Sequence, residues 1–138
     1  MAELFIAASD DNLEKVNSFI HQNIESCSFS DMELMQIDLS VEEIFVNIAH
    51  YAYAPQTGDA LIQCQVDPES KTTLIIFSDS GIPFDPLKKE DPDITLSAEE
   101  RRIGGLGIYL VKKYMDKVEY CYRDGKNILT LTKTPKTK

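Results

Sequence analysis

Behind Ser30-Asp-Met-Glu33, apolar residues recur at Leu34, Ile37, Val41, Ile44 and Ile48, in three- and four-residue steps that only a long helix turns to one side. This stripe fixes the largest single element of the chain. Ser30 and Glu33 have the spacing of a capping box, in which each side chain bonds the other residue's backbone N–H. The helix is predicted from Asp31 to Tyr53. Ser40-Val-Glu-Glu43 offers a second start with Glu43 as a capping acid, but the stripe passes Ser40 unbroken, and one continuous helix is the expectation. Ala54-Pro55-Gln-Thr-Gly58 ends it, because proline pushes the residue before it out of helical geometry.

The flanking segments are shorter. Leu4 to Ala8 reads as an edge strand, and Ser9-Asp-Asp-Asn12 supplies cap-type residues for a helix. In that helix Leu13, Val16, Phe19, Ile20 and Ile24 share a side, with Glu14, Lys15 and Asn17 opposite. After the long helix, Ala60 to Val66 and Thr72 to Phe77 alternate with period two, joined by Asp67-Pro-Glu-Ser-Lys71 as a hairpin. Gly81 to Ile103 is proline-bearing, charged and without periodicity, and a loop of that length in a compact domain is functional or mobile. Helical spacing returns through Leu106, Tyr109, Leu110 and Tyr114. Val118 to Tyr122 and Asn127 to Thr132 are then strands about Arg123-Asp-Gly-Lys126, where Asp-Gly is a strong hairpin signal. The residues leading to Lys138 read as a frayed basic tail.

A chain of 138 residues suffices for one domain and is too short for two ordinary ones. Its formal net charge of −9 argues against sequence-independent binding of nucleic acid or anionic lipid, which would be repelled. A single nucleotide is not excluded, since Lys112, Lys113, Arg101 and Arg102 flank a glycine-rich turn. Cys27, Cys64 and Cys121 are odd in number and lack any C-x-x-C spacing, so neither a disulfide framework nor a zinc site is expected. The first ten residues lack a basic start and an export-length apolar core, and no run nears the ~20 apolar residues of a membrane span. A cytoplasmic protein without a membrane anchor is the expectation.

Three polar or glycine-rich islands interrupt the apolar segments. Glu43 and Asn47 stand four apart, on one helical face, where each can aim an oxygen at the same metal or water. Asp79, after Leu74-Ile-Ile-Phe77, emerges where a strand ends and a ligand can meet its carboxylate; Ser80 and Gly81 follow. Gly104-Gly-Leu-Gly107 precedes a helical pattern, and amides exposed at a helix start favour phosphate. Each island has a plain alternative: an exposed polar helix face, a generic turn, and a loop-to-helix joint. Their order and spacing together point to a nucleotide site.

At these residues the chain resembles the GHKL or Bergerat-fold ATPases, and within them the bacterial anti-sigma factor serine/threonine kinases. Val41-Glu-Glu-Ile-Phe-Val-Asn-Ile-Ala-His-Tyr-Ala-Tyr53 resembles the family's N box, Asp79-Ser-Gly-Ile-Pro-Phe-Asp-Pro86 its first glycine box, and Gly104-Gly-Leu-Gly-Ile-Tyr-Leu-Val111 its second. The resemblance implies an α+β fold, a two-layer α/β sandwich with a mixed, mostly antiparallel sheet and helices on one face. It covers residues 1–138 as a single ATP-binding domain, with 82–103 as a lid over the nucleotide.

It also implies roles. Asn47 would bind Mg2+ bridging the phosphates, Glu43 would be the general base, and Asp79 would accept a hydrogen bond from the adenine amino group. Gly81 would let the backbone approach the base, and Gly104, Gly105, Leu106 and Gly107 would wall the phosphates of ATP. His50 reads as a packing or supporting residue rather than a phosphoryl carrier. Lys88-Lys-Glu-Asp91 would lie in the lid, and Arg101 and Arg102 face phosphate, a partner or solvent. Ile82-Pro-Phe84 after Gly81 fits the anti-sigma branch, whereas Gly125-Lys-Asn127 departs from the threonines of many relatives.

The function implied is phosphorylation of a serine on an anti-sigma factor antagonist of STAS type, with a sigma factor as a further partner and a homodimer as the assembly. The alternative is an ATP-sensing module that sequesters a partner with little catalysis. Intact Glu43 favours the kinase. The catalytic half of a two-component histidine kinase is disfavoured, because His21 and His50 both fall on helices of this domain.

Overall fold

A computed structural model describes residues 1–88 and 106–136. Strand β1 spans Ala2–Ala7, helix α1 Leu13–Ile24 and helix α2 Asp31–Asn47. Strands β2 (Asp59–Val66) and β3 (Thr73–Asp79) follow, then helix α3 (Leu106–Tyr114) and strands β4 (Lys117–Arg123) and β5 (Lys126–Lys133). The strands form one sheet in the order β1-β2-β3-β5-β4, and every pairing is antiparallel. The expected two-layer α+β arrangement is met, and among the described residues the sheet is wholly antiparallel rather than mixed.

One sheet face is apolar because alternate residues point the same way. Ile62, Phe77 and Leu129 share one cross-strand row, and Cys64, Ile75 and Leu131 the next. All six are buried, against Val16, Ile20 and Ile24 of α1, Ile37, Val41, Ile44 and Phe45 of α2, and Ile108, Val111 and Met115 at α3. Burial of this continuous face, at roughly 25 cal/mol per Å2 of apolar surface, is the main force assembling the fold. Val16 and Ile20 thereby belong to the core of this chain. On α3 the buried stripe is Ile108, Val111 and Met115 rather than the expected Tyr109, Leu110 and Tyr114. Both stripes have helical spacing, and the compact β-branched pair fits the sheet while Leu110 is left exposed at 37%.

Helix α2 begins at the capping box: Glu33 N–H donates to Ser30 Oγ at 3.1 Å and Ser30 N–H to Glu33 Oε1 at 2.9 Å. It runs through Ser40 without a break, then widens after Asn47 into one π turn, Ile48–Ala52. The expected continuous helix to Tyr53 is therefore present with a change of pitch directly behind Asn47. At the last hairpin Asp124 and Gly125 have φ of 55° and 77°, the positive values a two-residue type I′ turn requires. The expected frayed tail is ordered as far as Lys136: Thr134 N–H donates to Asp116 at 2.7 Å and Lys136 N–H to Glu33 Oε2 at 3.0 Å. Buried carboxylate at the start of α2 supplies the acceptor that holds it. Among the described residues no helix is long and apolar enough to cross a membrane.

Candidate functional site

Glu43 and Asn47 occupy the last turn of α2, one turn apart, and Asn47 Nδ2 donates to Glu43 Oε2 at 2.8 Å. An ionised carboxylate only accepts, so the amide must turn its NH2 toward Glu43 and its Oδ1 away from it. Gly107, in the first turn of α3, lies against the same carboxylate. A Cβ built on Gly107 would fall on Glu43 Cδ and both its oxygens. Glycine there lets α3 close on the acid. The two helices enclose a groove of about 150 Å3, lined by Leu39, Ser40, Glu43, Gly107, Leu110 and Tyr114. Ser40 Oγ, three residues before Glu43, is buried there without a hydrogen-bond partner.

Asp79 closes β3 and is 7% exposed. Its Oδ1 accepts the Gly81 N–H at 2.8 Å and Asn127 Nδ2 at 3.0 Å. Gly81 meets the far end of the π turn: Ile82 N–H donates to Ala52 O at 3.0 Å, and a Cβ on Gly81 would strike the Ala52 backbone. Tyr53 completes the seam, its hydroxyl donating to Asp59 O at 2.6 Å and accepting the Ser80 N–H at 2.8 Å. Burial raises the Tyr53 phenol above its ordinary range, with Asp79 and Asp59 adding to the rise, so it stays an O–H donor. The end of α2 is thus sutured to Asp79-Ser-Gly81 on one side and touches Gly107 on the other.

This brings Glu43, Asn47, Asp79, Gly81 and Gly107 together around one helix end. The backbone of Leu106 opens α3 beside them. Gly104, Gly105, Arg101 and Arg102 lie outside the described residues, as does most of the expected lid. Lys88 ends a short 3-10 turn, Pro86–Lys88. His50 Nε2 lies 2.7 Å from Asp10 Oδ2, and its ring packs edge-on against Tyr51. Lys113 Nζ sits 5.5 Å above the Tyr109 ring.

Several residues of the constellation stand in the motifs named from the sequence without a role of their own there. Asn127 stands opposite Asp79 in the β3–β5 ladder and bonds it, yet the pairing of β3 with β5 rather than β4 is not written in either strand. Tyr53 and Ala52 owe their contacts to the π turn, whose pitch no residue pattern announces. Gly81 permits a close approach of the Ala52 backbone, a contact that the sequence motif does not announce. Among the described residues no group of three or more His, Cys, Asp or Glu side chains is placed to hold a metal ion.

Residues 6–133 match the family model of the histidine kinase-like ATPase domain. The chain is similar to the serine/threonine-protein kinase BtrW of Bordetella bronchiseptica, at 29% identity over 96 residues, covering 70% of this chain and 67% of that protein. It is likewise similar to the serine-protein kinase RsbW of Bacillus cereus, at 29% identity over 106 residues, covering 74% of this chain and 64% of that protein. The chain thus spans about two thirds of the length of these relatives. Among solved structures, its fold is similar to that in the SiaB–SiaC complex from Pseudomonas aeruginosa, with a TM-score of 0.63 and 14% identity over 97% of this chain and 89% of that one. It is also similar to a structure of RsbU and RsbW domains from Mycobacterium tuberculosis, with a TM-score of 0.64 and 12% identity over 96% of this chain and 32% of that one. With a family model covering most of its length, and Glu43, Asn47, Asp79, Gly81 and Gly107 set about one helix end, the chain belongs to the histidine kinase-like ATPase domain family, the GHKL group.

Proposed function

We propose that this protein is an ATP-dependent serine/threonine kinase that phosphorylates a serine of a small antagonist protein of STAS type and so regulates a partner switch involving a sigma factor. The observation that carries the reading is the Glu43–Asn47 pair, held at 2.8 Å beside Gly107 in an open groove. Relatives at 29% identity named as serine kinases support it. A fold shared with a protein crystallised in a two-protein complex is in keeping with a hydroxyl delivered by a separate chain.

In this reading Asp79, with Oδ1 already taken by two donors, offers its other oxygen to the adenine amino group. The amides that open α3 face the phosphates. Asn47 Oδ1, turned away from Glu43, fits Mg2+, which takes one or two protein oxygens and completes its shell with phosphates and water. Bound there, the ion would neutralise charge on the phosphates. Glu43 accepts the serine proton as the serine oxygen forms its bond to the terminal phosphorus, and the bond from that phosphorus to the bridging oxygen breaks to release ADP. Asn47 holds the Glu43 carboxylate in place throughout.

Purified protein incubated with magnesium, ATP labelled at the terminal phosphate and candidate STAS-type proteins tests this directly. Label on an antagonist serine, lost in Glu43→Ala and Asn47→Ala, is the expected result. ATP binding without transfer to any candidate would replace the kinase by a nucleotide-gated binding module, and no ATP binding would overturn both.

A further inference from the structure

Asn127 is 8% exposed and sits on the sheet rung that pairs it with Asp79 on one side and Tyr122 on the other. A buried amide must spend its two donors and its acceptor inside the protein, because each one left unpaired has lost its water without replacement. Here all are used. Nδ2 donates to Asp79 Oδ1 at 3.0 Å and to Ile82 O at 2.9 Å, with Gly81 O at 3.5 Å. Oδ1 accepts the Phe84 N–H at 3.1 Å and the Tyr120 hydroxyl. Burial raises the Tyr120 phenol above its ordinary range, and the Asp85 and Asp79 carboxylates add to that rise, which keeps its proton available for the bond.

We infer that Asn127 is a positioning residue that locks the Asp79 carboxylate and the segment Gly81–Phe84 into one unit, with Tyr120 fixing the orientation of the amide. The inference rests on Asp79 being the adenine acceptor proposed above. Among the described residues, the hydrogen bonds that hold the Asp79 carboxylate come from Gly81 N–H and Asn127, both to Oδ1, and they set the rotamer that aims Oδ2. Without Asn127 the carboxylate keeps one restraint, from a glycine amide whose own segment has lost its ties to Asn127 through Ile82 O and Phe84 N–H. The selectivity of the site for a 6-amino purine then falls, although Asn127 itself has no free polar atom for a nucleotide. The side chain acts through Asp79 and the strand end.

The test is nucleotide binding by calorimetry, independent of phosphoryl transfer, with ATP and with purine riboside triphosphate, which lacks the 6-amino group. Wild type is expected to prefer ATP. Asn127→Ala should lose about tenfold in ATP affinity, the scale of a hydrogen bond to a charged group, with little change for the analogue. Amide hydrogen exchange at Gly81 and Phe84 should accelerate in the same variant. Tyr120→Phe keeps the ring and removes one donor, so it should give a smaller loss in the same direction and serves where Asn127→Ala does not fold. Asp79→Ala combined with Asn127→Ala should lose no more ATP preference than Asp79→Ala alone. If Asp79→Ala leaves the preference for ATP intact, the adenine role of Asp79 fails. If Asp79→Ala abolishes the preference while Asn127→Ala and Tyr120→Phe both retain it in full, the positioning role of Asn127 is overturned and the proposed function stands.

Discussion

Glu43→Gln separates two duties of one residue. The amide still accepts from Asn47 Nδ2 but no longer takes a proton, so ATP affinity should stay within about twofold while transfer drops at least ~100-fold, the usual weight of a general base. Calorimetry and labelled transfer on the same sample read the two effects. Gly107→Ala places a methyl where the Glu43 carboxylate lies, and the acid must move. Displacement of a reacting group by about 1 Å costs about 100-fold, so single-turnover transfer should fall by that order even at saturating ATP. Gly81→Ala meets Ala52 backbone instead, which has no rotamer to yield; a loss of about 1–3 kcal/mol in denaturant unfolding is expected. Glu43, Asn47 and Asp79 were legible in the sequence because helical spacing and a strand end place them. The reason for Gly81 was not, since its neighbour is the backbone of Ala52, in a separate element and on a π turn that no pattern encodes.

The elements differ in how openly they are written. The Ser30 capping box, the apolar stripe of α2 and the Asp124-Gly125 turn follow local rules, and each appears at the residues those rules name. Helix α3 carries two stripes of equal spacing, and only its packing on the sheet decides between them. The capping box also has a pH signature. Burial pushes the Glu33 carboxyl up, but the N–H groups of Ser30 and Lys136 outweigh it, with Lys133 assisting, and the net shift is below the ordinary 4.5. A carboxyl depressed on folding adds stability above its unfolded value and loses it as pH falls through the folded one. Glu33→Gln should therefore cost about 1 kcal/mol near neutral pH, the scale of a lost cap, and nothing once the medium is acid enough to protonate Glu33 in the folded state. Thermal unfolding of both proteins down a pH series below 4.5 checks the convergence.

For the molecule as a whole, the described helices pack on one face of the sheet, and α2 and α3 frame the groove beside Glu43. A ligand that binds only the folded state stabilises it by mass action, by about 2.7 kcal/mol at a hundredfold excess over its Kd. Magnesium with ATP should raise the melting temperature by several degrees, and by less in Asn47→Ala; GTP should raise it less if Asp79 reads adenine. The fold was largely legible because alternation and helical spacing name most strands and helices, while strand order β3-β5-β4 depends on long-range pairing. The site was legible as a set of motifs and illegible as a network, since Asn127, Tyr53 and Tyr120 join it only once the sheet is assembled. The claim that matters most is that Glu43 removes the proton of a protein serine. Its most direct test is single-turnover transfer from labelled ATP to an antagonist serine by wild type and Glu43→Gln at saturating nucleotide. Transfer by wild type, with a loss of at least ~100-fold in a variant that still binds ATP, is the predicted result; equal transfer by both would contradict it.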